Sequence, residues 1–318
     1  MFAVKSISPI WIVLACLVGC GQHTTSNTNG TYQEKNSLQY FGFALVDCGW
    51  DDPNDNTTKT NYVDEISGFT NVAQMCVYSP DAFIGNRIYD FSRVGVKAVL
   101  NIEEILFERS EDASSPSGER LKLQPNAKTL WLDFVAQNSN YLIPDYIAAL
   151  YVVDEPVWNG LKHEELVQAV NIVKDSLPNL TTFIIEAHPV VDQMQVPEKL
   201  DWIGFDRYNT KNPAEDVAWL DDLETVRAAR TRDDQKIVVV ASTQWFPHYQ
   251  IEAGIKPEDI ENMLFSYYDI ASSDPDVIAL AGYIWPGGVD HPAQLGARNL
   301  PENVKKSFRV IGEQILGE

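Results

Sequence analysis

Basic side chains are scarce in this chain. Its 24 lysines and arginines face 45 aspartates and glutamates, for a formal charge of -21. A field of that sign repels phosphate, which excludes nucleic acid and an anionic membrane surface as partners and favours neutral or cationic ligands. The same excess keeps an exported protein soluble. Phosphate-binding loops are missing as well: there is no Gly-Lys-Ser/Thr loop, and Val46-Asp47-Cys48-Gly49-Trp50 follows the first predicted strand in place of a Gly-x-Gly-x-x-Gly turn. Nucleotide cofactors lose their support. No His-x-His or His-Glu-x-x-His spacing occurs, so His188 and His291, even beside Asp206 or Glu186, read as ordinary hydrogen-bonding side chains and no metal is expected. Ser242 lacks a Gly-x-Ser-x-Gly elbow. Lysine is absent from the far ends of the predicted strands, and Lys97 begins its strand, so Schiff-base chemistry is excluded too. The reading calls for no cofactor. Neither a Pro/Ser-rich linker after Asn36 nor an internal repeat interrupts the chain, which predicts one folded domain.

Hydrophobic residues make up 45% of the 318 positions, ample for a sizeable core. After residue 38, apolar β-branched runs alternate with amphipathic segments, the mark of parallel α/β architecture. Strands are predicted over 40–46, 72–78, 97–102, 148–153, 182–186, 202–205, 236–241 and 280–284. Helical segments are predicted over 62–68, 80–92, 126–139, 162–176, 214–229, 257–272 and 301–316, with 191–200 too short for a good helix. Eight strands in a span of this size fit a (β/α)₈ barrel, which takes around 250 residues. The expected fold is therefore a single-domain TIM barrel over 39–318, with an open doubly wound sheet as the rival.

In such a barrel the residues just past each strand share one face. That face would carry Asp47, Tyr78, Glu103, Asp154, Glu155, Glu186, Asp206, Tyr208, Gln244, Trp245 and Trp285, a set of acids, amides and aromatics. Carboxylates that do acid/base work, beside flat rings that stack on pyranose faces, suit a carbohydrate ligand. The fourth run, Leu150-Tyr151-Val152-Val153-Asp154-Glu155-Pro156, ends abruptly in two acids and a proline. Adjacent residues at a strand end point to opposite sides. One acid can thus face the substrate while its neighbour orients a partner, and their repulsion raises one pKa as a general acid requires. A solvated strand end with Pro156 opening a helix is the plain structural alternative.

Asp154-Glu155-Pro156 is similar to the motif that ends the fourth strand of retaining (β/α)₈ glycoside hydrolases. The run Asp201-Trp202-Ile203-Gly204-Phe205-Asp206-Arg207-Tyr208 resembles their sixth strand, and Gly282-Tyr283-Ile284-Trp285 their eighth. The resemblance implies Glu155 as general acid/base, Trp285 as a stacking residue and a carbohydrate substrate. It departs at strand seven, where Gln244 stands in place of the nucleophilic glutamate. Three outcomes stay open: Glu186 or Asp206 is the second carboxylate, the substrate assists with Asp154 as orienter and Tyr208 and Trp285 around the ring, or catalysis is lost. In the last case the protein would be a non-catalytic carbohydrate-binding or envelope protein on the same scaffold.

Residues 1–20 hold one lysine, Lys5, then an apolar segment too short to span a membrane comfortably, and end Leu17-Val18-Gly19-Cys20. This resembles a bacterial lipoprotein signal, which implies cleavage after residue 19, lipidation of Cys20, a tether over 20–38 and export to the cell envelope. Gly21 after the cysteine resembles sorting to an outer membrane where two membranes exist. With Cys16 removed and Cys20 acylated, Cys48 and Cys76 remain, as a disulfide or as two buried thiols.

Overall fold

The computed structural model describes residues 37–317; the expected signal, the lipidation site Cys20 and most of the tether lie outside them. The described residues hold ten strands: β1 (Tyr40–Asp47), β2 (Val72–Cys76), β3 (Lys97–Asn101), β4 (Phe107–Glu111), β5 (Glu119–Leu123), β6 (Ile147–Asp154), β7 (Thr182–Ala187), β8 (Trp202–Asp206), β9 (Lys236–Ser242) and β10 (Val277–Tyr283). Eight of them close into a parallel barrel in the order β1-β10-β9-β8-β7-β6-β3-β2, and β4 and β5 form a separate antiparallel hairpin. The (β/α)₈ fold expected from the alternating pattern is the fold observed. Strands β6, β7 and β9 are apolar, largely β-branched runs buried almost end to end, as a parallel sheet covered by helices requires.

Longer helices, Gly85–Ser92, Ala127–Asn138, His163–Ser176, Val217–Ala228, Ile260–Ser273 and Glu302–Leu316, surround the barrel. The last turns Val304, Phe308 and Ile311 inward, and Gly317, at φ 74°, closes it in the left-handed conformation that suits glycine. Between β7 and β8 there is only a 3₁₀ segment, His188–Gln193, with Pro189 in its first turn; the expected weak segment never becomes an α-helix. Packing begins at Ser37, whose hydroxyl donates to the carbonyls of Asp274 and Val277 at 2.9 and 2.8 Å.

Two apolar layers share the strands. Leu100, Ile184 and Leu280 point outward and are fully buried against the helices, in the large cluster that also holds Phe43, Phe308 and Trp285. Ala149, Tyr151, Phe183, Trp202 and Val238 point into the barrel and form a smaller cluster. Cys48 and Cys76 are joined as a disulfide at the far ends of β1 and β2, with Cα atoms 4.6 Å apart.

Candidate active site

The fourth barrel strand, β6, delivers two acids to the mouth and then turns sharply. Glu155 has φ 45°, a region non-glycine residues rarely adopt, and such a conformation persists only where its surroundings over-determine it. They do so here. Glu155 N–H donates to Ile185 O and Glu155 O accepts from Asn159 N–H, both at 2.8 Å. The Asn159 side chain donates to Asp154 O at 3.2 Å. Leu45 (φ 57°) and Asn209 (φ 64°) are the other left-handed non-glycine residues among those described, and all three line the same cavity. Strained backbone concentrates at functional sites.

Two further acids fix this turn. Glu186 on β7 is fully buried and accepts from the N–H groups of Val157 (2.9 Å), Trp158 (3.2 Å) and Ala187 (3.1 Å). Glu103 accepts from Asp154 N–H at 2.8 Å and from Arg109 at 2.6 Å, while the other arm of Arg109 pairs with Glu119 across the hairpin. Neither acid lines the cavity. Both hold the backbone that presents Asp154 and Glu155.

The presented groups are Asp154, Glu155 and, from the end of β8, Asp206. Tyr151 donates to Asp154, and Tyr208 donates to Asp206 at 3.0 Å. The Glu155 and Asp206 carboxyls interact with one another at the cavity wall. Among the described residues none of the three is ion-paired with lysine or arginine. Burial, then the Asp206 charge, pushes the Glu155 carboxyl well above its ordinary range, and burial with Asp154 nearby raises Asp206. Asp154 is pushed up to about 8 by burial and by the charges of Glu155 and Glu103. Its side chain keeps accessible surface, yet protein surrounds it, so water reaches it through the cavity it lines. Burial raises Glu186 to about 7 against the pull of its three N–H donors. Closely set carboxyls with raised affinities for protons can divide acid and base roles between them.

The cavity encloses about 890 Å³. Tyr208 and Tyr283 stack at its mouth with centroids 5.2 Å apart and planes 25° apart. Tyr283 donates to the Asp290 carboxylate at 3.1 Å, and Gln294 donates to Asp290 at 2.7 Å and to Gln244. Of the expected residues, Asp154, Glu155, Asp206, Tyr208 and Gln244 line this cavity. Others sit elsewhere. Trp285 is buried outside the barrel wall, its indole N–H on Glu65 at 2.8 Å and its ring against Phe43 at 4.8 Å; Tyr283, two residues earlier, faces the cavity in its place. Trp245 donates to Ile255 O at 3.0 Å, away from the cavity. Asp47 is paired with Arg87 at 2.7 Å, and Tyr78 is exposed with its hydroxyl on Cys48 O. The stacking role expected of Trp285, the ligand contacts expected of Asp47, Tyr78, Glu103 and Trp245, and the second-carboxylate role considered for Glu186 therefore do not fall to residues facing the cavity. Among the described residues no group of histidines, cysteines and acids is arranged to hold a metal ion. His188 Nδ1 stands 3.8 Å from Asp222, and His291 accepts from Ala293 N–H.

No protein-family profile and no curated protein matches the sequence. Solved structures do share the architecture. Native xylanase 10B from Thermotoga maritima superposes with a TM-score of 0.55 at 11% identity, covering 89% of this chain and 97% of that one. A β-1,4-mannanase gives 0.54 at 11% identity over 87% and 99%. Cyclic α-maltosyl-(1→6)-maltose hydrolase from Arthrobacter globiformis, in complex with that cyclic maltosyl-maltose, gives 0.50 at 13% identity over 89% and 81%. Identities this low carry the fold and nothing finer. The chain is a (β/α)₈-barrel protein whose structural neighbours are glycoside hydrolases.

Proposed function

We propose that the protein is a glycoside hydrolase, exported and held at the cell envelope through a lipid on Cys20, with Glu155 as proton donor. What supports this is that Asp154, Glu155 and Asp206 line one aromatic-lined cavity at the strand ends, and that burial and the neighbouring acids raise the Glu155 carboxyl well above its ordinary range. Cleavage needs a carboxylic acid at the leaving oxygen and negative charge near the oxocarbenium-like carbon. Glu155 gives its proton to the glycosidic oxygen as the bond to the anomeric carbon breaks. Asp206 stabilises the positive charge, Asp154 orients the substrate, and the water that completes hydrolysis returns a proton to Glu155. Glu186 takes no part, since its oxygens are occupied by backbone N–H groups. Asp206 suits charge stabilisation beside Glu155, and a substrate acetamido group beside Asp154 is compatible with the same roles.

The second reading is carbohydrate binding without turnover, favoured by Gln244 where the resembled enzymes carry a glutamate. A hydrolysis screen of the full chain against a glycan panel separates the two. Turnover that falls about 10²–10⁴-fold in Glu155→Gln supports the enzyme. Hydrolysis that survives in Glu155→Gln refutes the assigned donor, and glycan binding with no hydrolysis favours the second reading.

A further inference from the structure

Barrels of this architecture are filled by layers of side chains, but this one is hollow. Val99, Ile185 and Ala281 lie mid-strand and face the axis, yet each keeps accessible surface; their outward neighbours Leu100, Ile184 and Leu280 keep none. Small inward residues, Ala149 and Ala279 among them, leave the space. The cavity that the three acids line continues into it, past Val99 and Phe183, to Trp202 and Tyr40. Those two rings lie at the opening residues of β8 and β1, 5.2 Å apart, and form the floor. From Trp202 to Asp206 the strand rises about 13 Å. An aromatic wall covers that depth: Phe183 stands 6.4 Å from Trp202 and 5.0 Å from Tyr151, whose hydroxyl is on Asp154.

Chemistry divides this space sharply. Polar groups gather at the mouth, where Tyr208, Tyr283 and Asp290 stand beside the acids. Below them the polar side chains are Gln74, whose amide oxygen already accepts from Leu45 N–H at 2.9 Å, the phenols of Tyr151, committed to Asp154, and Tyr40, and the indole N–H of Trp202. A sugar ring placed there would bury several hydroxyls without partners, at roughly 1–3 kcal/mol each. A hydrocarbon chain gains about 0.8 kcal/mol per buried methylene. The bond at Glu155 has two sides, and only one of them meets polar partners.

We propose that the barrel interior is a chamber for the apolar aglycone of an amphiphilic glycoside: an alkyl chain lies along the axis, the sugar stays at the mouth and the glycosidic oxygen falls at Glu155. This rests on the glycosidase reading and deepens it by naming the substrate class.

The test is titration calorimetry of the full chain with n-alkanols from hexanol to decanol, with glucose as the head-group control. Affinity is expected to rise about fourfold per methylene until the chamber fills. Ala281→Phe, and the milder Ala281→Leu, place carbon in the hollow and should flatten the series; circular dichroism and a thermal melt verify folding. A flat series in the unmodified protein overturns the proposal, whatever the variants do. So does a rising series that folded Ala281→Phe and Ala281→Leu both leave untouched, because binding then lies elsewhere. In hydrolysis, alkyl glycosides of a responsive sugar should show KM falling with chain length, and a KM indifferent to chain length also overturns it. A rising, variant-sensitive alkanol series with no glycoside hydrolysed at all leaves the apolar site standing and refutes the glycosidase reading, and with it the aglycone role.

Discussion

Glu186→Gln should cost stability at pH 5 and far less at pH 8. In the folded protein Glu186 is fully buried and its pKa is raised to about 7, against an ordinary 4.5. Between those two values the unfolded chain releases a proton that the folded chain keeps, so this group's contribution is complete at low pH and declines as pH rises through that window. The shift corresponds to about 3 kcal/mol lost by pH 8. Glutamine is neutral at every pH and escapes that loss. Its amide oxygen can still accept from Trp158 and Ala187, but its amide nitrogen then meets Val157 N–H, donor against donor, at a position now 2.9 Å from a carboxylate oxygen. A buried donor left without an acceptor costs about 1–3 kcal/mol. Urea unfolding at pH 5 should therefore show the variant less stable by that amount, with the difference shrinking towards zero or reversing at pH 8. A deficit that grows with pH would show that the three N–H groups prefer the carboxylate by more than burial penalises it, and the account of this turn would fail.

Other expectations follow from the same cluster. Asp154→Asn keeps an acceptor for Tyr151 and removes a carboxyl raised to about 8, so its melting temperature should exceed that of the parent by more at pH 8 than at pH 5; an equal difference at both pH values counts against a carboxyl raised by burial and by its acidic neighbours. Activity against any responsive glycan should be bell-shaped in pH, falling in acid as Asp206 takes up a proton and in alkali as Glu155 loses its own, with apparent values that belong to the pair. A monotonic profile with no alkaline limb would refute Glu155 as the acid. The Cys48–Cys76 bridge spans 28 residues of sequence, and its removal by Cys48→Ser with Cys76→Ser should lower unfolding free energy by about 3.5 kcal/mol, measured by denaturant titration. A loss below 1 kcal/mol would mean that residual structure already restrains this loop in the unfolded chain, and the entropic account would fail.

The barrel was legible because its strands are uninterrupted apolar runs and its helices carry a clear face. Phe107–Glu111 and Glu119–Leu123 were not, since Phe-Glu-Arg-Ser-Glu and Glu-Arg-Leu-Lys-Leu show charge where a strand signal shows alternation. Position at a strand end found Glu155 and Asp206 but also admitted Asp47 and Glu103, whose arginine partners lie 40 and 6 residues away in sequence and settle where those acids point. Parity puts Ala279, Ala281 and Tyr283 on the inner face and would put Trp285 there too, but β10 ends at Tyr283, so the alternation stops before Trp285 and the ring leaves the barrel. Tyr151 was hidden for a different reason, as one more apolar residue in a buried run until its hydroxyl is seen on Asp154. Gln294 was hidden because it acts from a loop with no periodicity of its own, joining Gln244 to Asp290.

The two faces of each barrel strand answer to different demands. Cohesion resides on the outer face, where Phe41, Leu100, Ile184, Phe205 and Leu280 are sealed against the helices. The inner face packs a smaller cluster of its own, with Tyr151, Phe183 and Trp202 in contact, and carries the surface a ligand would read. Its small residues can therefore change with less disturbance to the outer packing. A lineage built on this scaffold could exchange one substrate for another by enlarging or trimming alanines such as Ala149, Ala279 and Ala281. Selection for a new substrate would then leave its trace at alternate positions of the barrel strands, with the helices beyond them almost unchanged.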